Sequence, residues 1–207
     1  SKTLFGKPSP MIEYLESIDL AIVQMVNGWN TPFLDELMWI VSGRITWIPL
    51  YIFLIYLAIK QSGWKLGLLF VGGVALSVVL ADFISTQCMK EVIQRYRPSH
   101  NLAIRDHLHY YQLGWGDYYI GGKFGFVSSH AANFFAIAIF SISFLINFKQ
   151  WIAPLLIFIA VLVSFSRIYL GVHYFSDVFV GALVGIGISL LVYHFIFLKF
   201  HQRIKPA

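Results

Sequence analysis

Five long apolar runs occupy most of the chain after its first quarter. They cover residues 45–59, 64–89, 129–145, 151–170 and 175–200. The runs have the length and composition of helices that cross a bilayer, although the first is short for a span. The pattern therefore predicts a bundle of about five transmembrane helices.

The first part of the chain has a different pattern. Residues 1–10 are rich in lysine and proline and are predicted to be irregular. Between 11 and 26, apolar residues recur with helical spacing, and polar residues such as Asn27 take the other side. A second apolar stretch, 33–41, contains two acidic residues. We expect two amphipathic helices on the membrane surface, or alternatively a soluble-type helical hairpin packed on the bundle.

One long link stands out among the short ones. Residues 95–128 are polar and aromatic and join the second and third predicted spans. Loops of this length in compact proteins tend to be functional. The chain is therefore divided into an N-terminal interfacial helical segment, 1–44, and a transmembrane domain, 45–207, with 95–128 as its long outer loop.

The composition agrees with a membrane protein. Of 207 residues, 58% are hydrophobic and 12% are charged, whereas soluble domains average about 25% charged residues. A soluble protein is thereby excluded, and the expected fold class is an all-α integral membrane protein. The single cysteine, Cys88, allows no internal disulfide.

The distribution of charge predicts an orientation. One side of the predicted bundle carries six basic residues and no acidic one: Lys60, Lys65, Lys149, Lys199, Arg203 and Lys205. The positive-inside rule assigns this side to the cytoplasm. The long loop and the N-terminal segment then face outward.

Candidate chemistry is concentrated in the stretch 166–177, between two apolar runs. Asp177 follows His173 by four residues, so on a helix the two side chains share a face and can hydrogen-bond. A carboxylate on one imidazole nitrogen frees the other as a nucleophile or base. Arg167 offers a fork of donors that suits phosphate oxygens. The alternative is a helix cap with an ion pair at the membrane interface.

Two further segments carry candidate residues. Lys90 and Arg97 are seven residues apart, which is two turns of a helix that Pro98 would end, and could clamp a phosphate or contact lipid head groups. Ser128 or Ser129 can cap the third predicted span, whose first N–H groups would bind an anion. His130 lies at the same end and could give a proton to a leaving group. The topology places all three segments on one face of the membrane.

These three motifs, in this order, resemble the type-2 phosphatidic acid phosphatase superfamily. They are Lys-x6-Arg-Pro from Lys90, a Ser-x-His segment, and Ser-Arg-x5-His-x3-Asp ending at Asp177. The second departs from the family's Pro-Ser-Gly-His, because Val127 replaces the proline and Ser129 the glycine. This departure affects the expected backbone conformation of the loop before the third span more than it affects the expected proton transfer.

The resemblance implies a role for each residue. His173 attacks phosphorus and forms a phosphohistidine, Asp177 orients His173, and His130 protonates the leaving oxygen and later activates water. The phosphate oxygens are held by Lys90, Arg97, Arg167 and the segment around Ser128 and Ser129. Three cations with helix N–H groups can stabilise the charge of phosphoryl transfer, so neither a metal nor another cofactor is expected.

The expected function is hydrolysis of a lipid phosphate or diphosphate at the outer face, as in bacterial inner-membrane members with a periplasmic site. Undecaprenyl diphosphate and lipid A phosphates are favoured, ahead of phosphatidic acid and phosphatidylglycerol phosphate. Expected partners are this substrate and membrane lipids, without nucleic acid; the oligomeric state stays open. Rival hypotheses are a catalytically dead lipid-binding or transport protein and an intramembrane serine protease using Ser128 or Ser129.

Asp82 is a further ionisable residue in the second predicted span. It lies about 12 Å along the helix from Lys90. Asp82 could tune the site, or it could be a buried partner for a polar group such as Asn133.

Overall fold

The computed structural model describes residues 9–204, which are mostly helical. Residues 1–8 of the predicted irregular segment and Lys205 of the basic side lie outside the described residues. The helices are α1 Pro10–Asn27, α2 Pro32–Ser42, α3 Ile48–Phe83, α4 Glu91–Ile93, α5 Ser129–Leu145, α6 Ile152–Tyr169, α7 Phe175–Leu191 and α8 Leu198–Ile204. Two π-helical stretches, Ile84–Lys90 and Val192–Phe197, join α3 to α4 and α7 to α8.

Three continuous helical stretches in the described part of the chain are long and apolar enough to cross a membrane. They are Ile45–Ile93, Ile152–Tyr169 and Phe175–Arg203, and Ser129–Leu145 is a shorter apolar helix. These stretches agree with the prediction of a helical membrane protein.

The first of these stretches is folded back on itself within α3. Gly63 has φ 79° and ψ 169°, which interrupts the helix in a conformation that suits glycine. Leu54 and Phe70 line one pocket, although sixteen residues of straight helix would separate them by about 24 Å. The chain therefore reverses at Gly63, where a short link between the first two predicted spans was expected.

Helix α5 lies at the centre and contacts α3, α6 and α7. Its approach to α7 depends on Gly181, because a Cβ there would come within 2.6 Å of the Ser128 carbonyl oxygen. Small residues at helix interfaces let backbones approach closely in membranes. The contact holds the start of α5 against the first turns of α7.

The two N-terminal helices are formed and pack on the bundle. Their caps are Ser9 and Thr31, each followed by a proline in the first turn. Both sides of the predicted amphipathic pattern contribute to the buried face of α1: Val26 of the apolar side and Asn27 of the polar side are buried, while Met11 of the apolar side is 70% exposed. The surface that receives α1 offers both an apolar cluster, in which Val26 packs, and the hydrogen bonds that Asn27 makes.

Asn27 joins three parts of the chain. Its amide nitrogen donates to the carbonyl oxygens of His109 and Tyr169, both at 2.8 Å, and its side-chain oxygen accepts from the His109 N–H at 2.7 Å. The end of α1 is thus tied to the end of α6 and to the long loop. That loop also contains an antiparallel hairpin of β1 Gln112–Gly114 and β2 Asp117–Tyr118.

We predict that Asn27→Ala destabilises the protein by about 2–4 kcal/mol, because it removes three hydrogen bonds and leaves buried backbone groups without partners. Thermal unfolding in detergent measures this, with the exposed Asn147→Ala as the matched control. Equal melting temperatures for the two variants would contradict the role of Asn27.

Candidate active site

His173 lies at the end of the bundle where α5 and α7 begin and α6 ends. It sits in the turn between α6 and α7 and is 1% exposed. Its Nδ1 is 3.4 Å from Oδ2 of Asp177, and its Nε2 is 3.0 Å from Nη1 of Arg97. A guanidinium nitrogen can only donate. The contacts therefore favour the tautomer with the proton on Nδ1, toward Asp177, and a lone pair on Nε2.

His173 and Asp177 are paired, but they do not lie on one face of a helix as predicted. His173 precedes α7, and Asp177 is in the first turn, where its carboxylate caps the helix by accepting from the Tyr174 N–H at 3.0 Å. The four-residue spacing brings the two side chains together through this capping geometry. The expectation of a helical His173 was wrong, whereas the expected contact is present.

The environment of His173 keeps its ring neutral. Burial, followed by the positive charges of Arg97 and Arg167, lowers the pKa of His173 well below its ordinary value. The imidazole therefore carries a single proton and no charge at neutral pH. A neutral ring with Nε2 unprotonated is the form that can attack an electrophile.

Arg97 reaches the site from an extended segment, not from the helix that carries Lys90. The helix ends earlier than predicted, because Gln94 adopts a left-handed conformation with φ 52° after α4. Tyr96 then pairs with Phe124 in an isolated bridge. Arg97 donates from Nε to the Phe124 carbonyl at 3.0 Å and from Nη1 to the Val172 carbonyl at 3.1 Å. The two-turn spacing of Lys90 and Arg97 was thus a wrong reason for placing them together.

Cation crowding marks this end of the bundle. Burial and then the positive charge of Arg167 lower the pKa of Arg97 to about 10. Arg167 is 3% exposed, donates to the hydroxyls of Ser42 and Tyr119, and has an Nε without a partner among the described residues. Buried cations that repel one another form a site for an anion.

The start of α5 contributes the second motif. Ser128 is its N-cap and accepts from the Ala131 N–H, while its own N–H donates to the Asp177 carbonyl at 2.9 Å. The Ser129 hydroxyl accepts from Nζ of Lys90 at 3.2 Å. Since the N–H groups of Ser128, Ala131 and Ala132 are already bonded, those of Ser129 and His130 are the donors of the first turn left for an anion.

His130 follows in the first turn of α5. The positive charges of Arg167, Arg44 and Arg97 act electrostatically on the His130 ring. The His130 ring in turn interacts electrostatically with His173. Its place beside this cation cluster is suited to proton transfer to an oxygen of a bound phosphate ester. Arg44 was not among the predicted site residues.

A hydrogen-bond network that the sequence analysis missed holds the Asp177 carboxylate on the side of Arg95. Arg95 donates to Oδ1 of Asp177 at 3.0 Å, to the Ser176 hydroxyl at 2.7 Å and to Asp19 at 2.8 Å. Asp19, which is buried in α1, also accepts from the Ser176 N–H at 2.9 Å. Arg95 lies inside the first sequence motif and Ser176 inside the third, so their positions could have indicated a role at the site. Asp19 is far upstream, and no local pattern indicates its role.

The described residues contain no group of three or more His, Cys, Asp or Glu side chains that could hold a metal ion. Besides the Asp177 carboxylate, the charged groups around His173 include Arg97 and Arg167, cations of the kind suited to phosphate oxygens. The arrangement as a whole brings a neutral imidazole, a second histidine and cations to one end of the bundle.

Comparison with known proteins identifies the chain's relatives. The sequence model of the PAP2 superfamily matches residues 66–201. A lipid A 4'-phosphatase of Bacteroides thetaiotaomicron is 34% identical over 195 residues, which cover 94% of this chain and 84% of that protein. A lipid A 4'-phosphatase of Porphyromonas gingivalis is 32% identical over 187 residues, covering 90% and 74%.

A solved structure has the same fold. The crystal structure of a transmembrane PAP2-type phosphatidylglycerolphosphate phosphatase from Bacillus subtilis matches with a TM-score of 0.62 at 24% identity, covering 93% of this chain and 88% of that chain. The predicted family, the phosphatase activity and the membrane location are thereby confirmed. The chain belongs to the PAP2 superfamily and is an integral membrane lipid phosphatase.

Proposed function

We propose that the protein removes a phosphate from the sugar headgroup of lipid A or of a related acylated sugar lipid. The observation that carries the chemistry is His173, which presents an unprotonated Nε2 to a cluster of cations while Asp177 holds its Nδ1. The choice of lipid is supported by two relatives, each a lipid A 4'-phosphatase above 30% identity.

The reaction proceeds in two steps. Nε2 of His173 attacks phosphorus and breaks the bond to the ester oxygen. That oxygen takes a proton from His130, which the negative charge of the bound phosphate keeps protonated, and leaves as an alcohol. His130 then removes a proton from water, the water oxygen attacks phosphorus, and the bond to His173 breaks. Phosphate is released, and both histidines return to their starting forms.

Charge stabilisation is assigned to side chains and backbone without a metal. Arg97 and Arg167 neutralise the phosphate oxygens, and Lys90 with the first turn of α5 binds the remaining ones. An N–H of Arg97 is directed at Nε2 of His173. A substrate phosphate takes over this donor and so frees the attacking lone pair.

The proposal also includes the predicted membrane topology. The chain reversal at Gly63 converts the long first helical stretch into two crossings, so the bundle crosses the membrane five times. Segment 1–44 lies at the interface, and the exposed apolar residues of α1 contact lipid. Domain 45–207 holds the site, with loop 95–128 on the outer side, facing the periplasm of a bacterial inner membrane.

Undecaprenyl diphosphate, phosphatidic acid and phosphatidylglycerol phosphate are the competing substrates. Phosphate release by purified protein from each of them and from lipid A ranks the four. The proposal requires the highest kcat/KM for lipid A. Binding of lipid A without phosphate release would instead support a catalytically dead lipid-binding protein.

We predict that His173→Ala lowers kcat at least roughly 1,000-fold without unfolding the protein, because a covalent mechanism cannot bypass its nucleophile. Phosphate release in detergent measures this. His107→Ala, which removes an exposed histidine of the long loop, is the control and should keep wild-type activity. Substantial turnover by pure His173→Ala protein would rule out the assignment.

We predict that Asp19→Asn lowers kcat roughly tenfold and leaves KM nearly unchanged, because Arg95 then holds Asp177 less firmly and the His173 ring is oriented less well. The control is Glu13→Gln, an exposed carboxylate of the same helix. A parallel loss of melting temperature and a rise in KM would indicate a structural role instead.

Cysteine labelling in intact cells checks the orientation, after the exposed Cys88 has been replaced. Gln112→Cys in the long loop should react with an impermeant maleimide, whereas Gln202→Cys should react only after lysis. Both positions are exposed, so their accessibility differs by membrane side alone. The reverse labelling pattern would move the site to the cytoplasmic leaflet.

A further inference from the structure

A pocket of about 440 Å³ lies between α3, its π-helical extension and α5, beside the phosphate site. Five polar side chains line one part of it and three apolar ones line the rest. The polar residues are Arg44, Asp82, Thr86, Gln87 and Asn133. A pocket with a polar part and an apolar part suits the junction between a lipid headgroup and its acyl chains.

The pocket adjoins the start of α5, which carries the proposed proton donor His130. Thr86 is 3.3 Å from the Ser129 hydroxyl, which Lys90 also contacts. Asn133 follows His130 by three residues on α5, so the two side chains share a helix face. His130, the proposed proton donor, and Asn133 thus occupy neighbouring positions, and a group attached to the protonated oxygen has room to extend toward Asn133.

Asp82 is the reason to expect a polar ligand here. Its Oδ1 accepts from Nδ2 of Asn133 at 3.1 Å, within a helical stretch that is long and apolar enough to cross a membrane. The other amide atom, Oδ1 of Asn133, is buried and lacks a hydrogen-bond partner among the described residues. Ionisable residues inside a membrane are costly, and an unsatisfied acceptor beside one indicates a missing donor.

We propose that this pocket binds the alcohol part of the substrate and selects a sugar that carries free hydroxyl and amide groups. The inference rests on the proposed function and extends it to substrate selection. Asp82 accepts a hydrogen bond from a sugar hydroxyl, and Oδ1 of Asn133 accepts one from a hydroxyl or from the N–H of an amide-linked acyl chain. The exposed Val79 and Phe83 contact the first carbons of that chain.

The same groups disfavour the competing lipids. Cleavage of a polyprenyl diphosphate releases a phosphomonoester anion, whose oxygens are acceptors and offer no ordinary donor to Asp82 or to Oδ1 of Asn133. Diacylglycerol, released from phosphatidic acid, has ester groups that are acceptors only. A site built to hydrogen-bond a hydroxyl discriminates against analogues that lack it, because its own polar groups are then unpaired.

The test compares, for each variant, the ratio of kcat/KM between lipid substrates. Purified wild type, Asp82→Asn and Asn133→Ala are assayed in detergent with lipid A, undecaprenyl diphosphate and phosphatidic acid. For each variant, kcat/KM for lipid A relative to either other lipid should fall roughly 10- to 100-fold, the size expected for lost hydrogen bonds to a charged group. The exposed Asp117→Ala is the matched carboxylate control and should keep the wild-type ratios.

Three results would overturn the inference, and they are distinguishable. Equal losses on all three lipids in both variants indicate a structural pair. Wild-type kcat/KM values on all three lipids in both variants show that the pocket does not select the alcohol. A wild-type protein without activity on lipid A overturns the proposed function itself, and the pocket assignment with it. If Asp82→Asn does not fold, the ratios of Asn133→Ala decide alone.

Discussion

The buried carboxylate of Asp177 is the group on which the rest of the site depends. Its side chain accepts from the Tyr174 N–H, from Arg95 and from His173, and its carbonyl accepts from the Ser128 N–H. One residue thus caps α7, orients the imidazole and holds the start of α5. A buried charge is stable only when it is paired and hydrogen-bonded. The requirement explains why Arg95 lies behind the site and why Asp19 pairs with it.

On the side of His173 that faces Arg97, positive charge exceeds negative charge. Arg97 and Arg167 repel each other at close range, and Lys90 adds a further positive charge. Both oxygens of the Asp177 carboxylate are already bonded, to Arg95, to the Tyr174 N–H and to His173, so Asp177 offsets only part of this charge. An anion bound between the cations would offset the remainder. Burial and the same positive charges keep the His173 ring neutral.

The N-terminal helices are part of this arrangement, although the family model begins only at residue 66. Asp19 of α1 completes the support of Asp177, and Ser42 of α2 accepts from Arg167. Asn27 then ties α1 to the long loop and to the end of α6. The helices therefore connect the membrane surface with the catalytic centre. The phosphate site and its supports would lose order together if α1 detached.

The sequence by itself determined the helical membrane class, the family and the residues that meet around His173, because apolar run length and motif spacing are local properties. It also indicated the reversal near Gly63 and the cap at Ser128. Only the tertiary structure decided how Arg97 reaches His173, since a left-handed Gln94 ends the helix before it, and which side of α1 is buried. The sequence named Asn133 as one possible partner of Asp82, and the structure shows that contact. The role of Asp19 became interpretable only from the structure, because its partners are remote in sequence and hydrogen bonds between distant segments leave no periodic pattern in the chain.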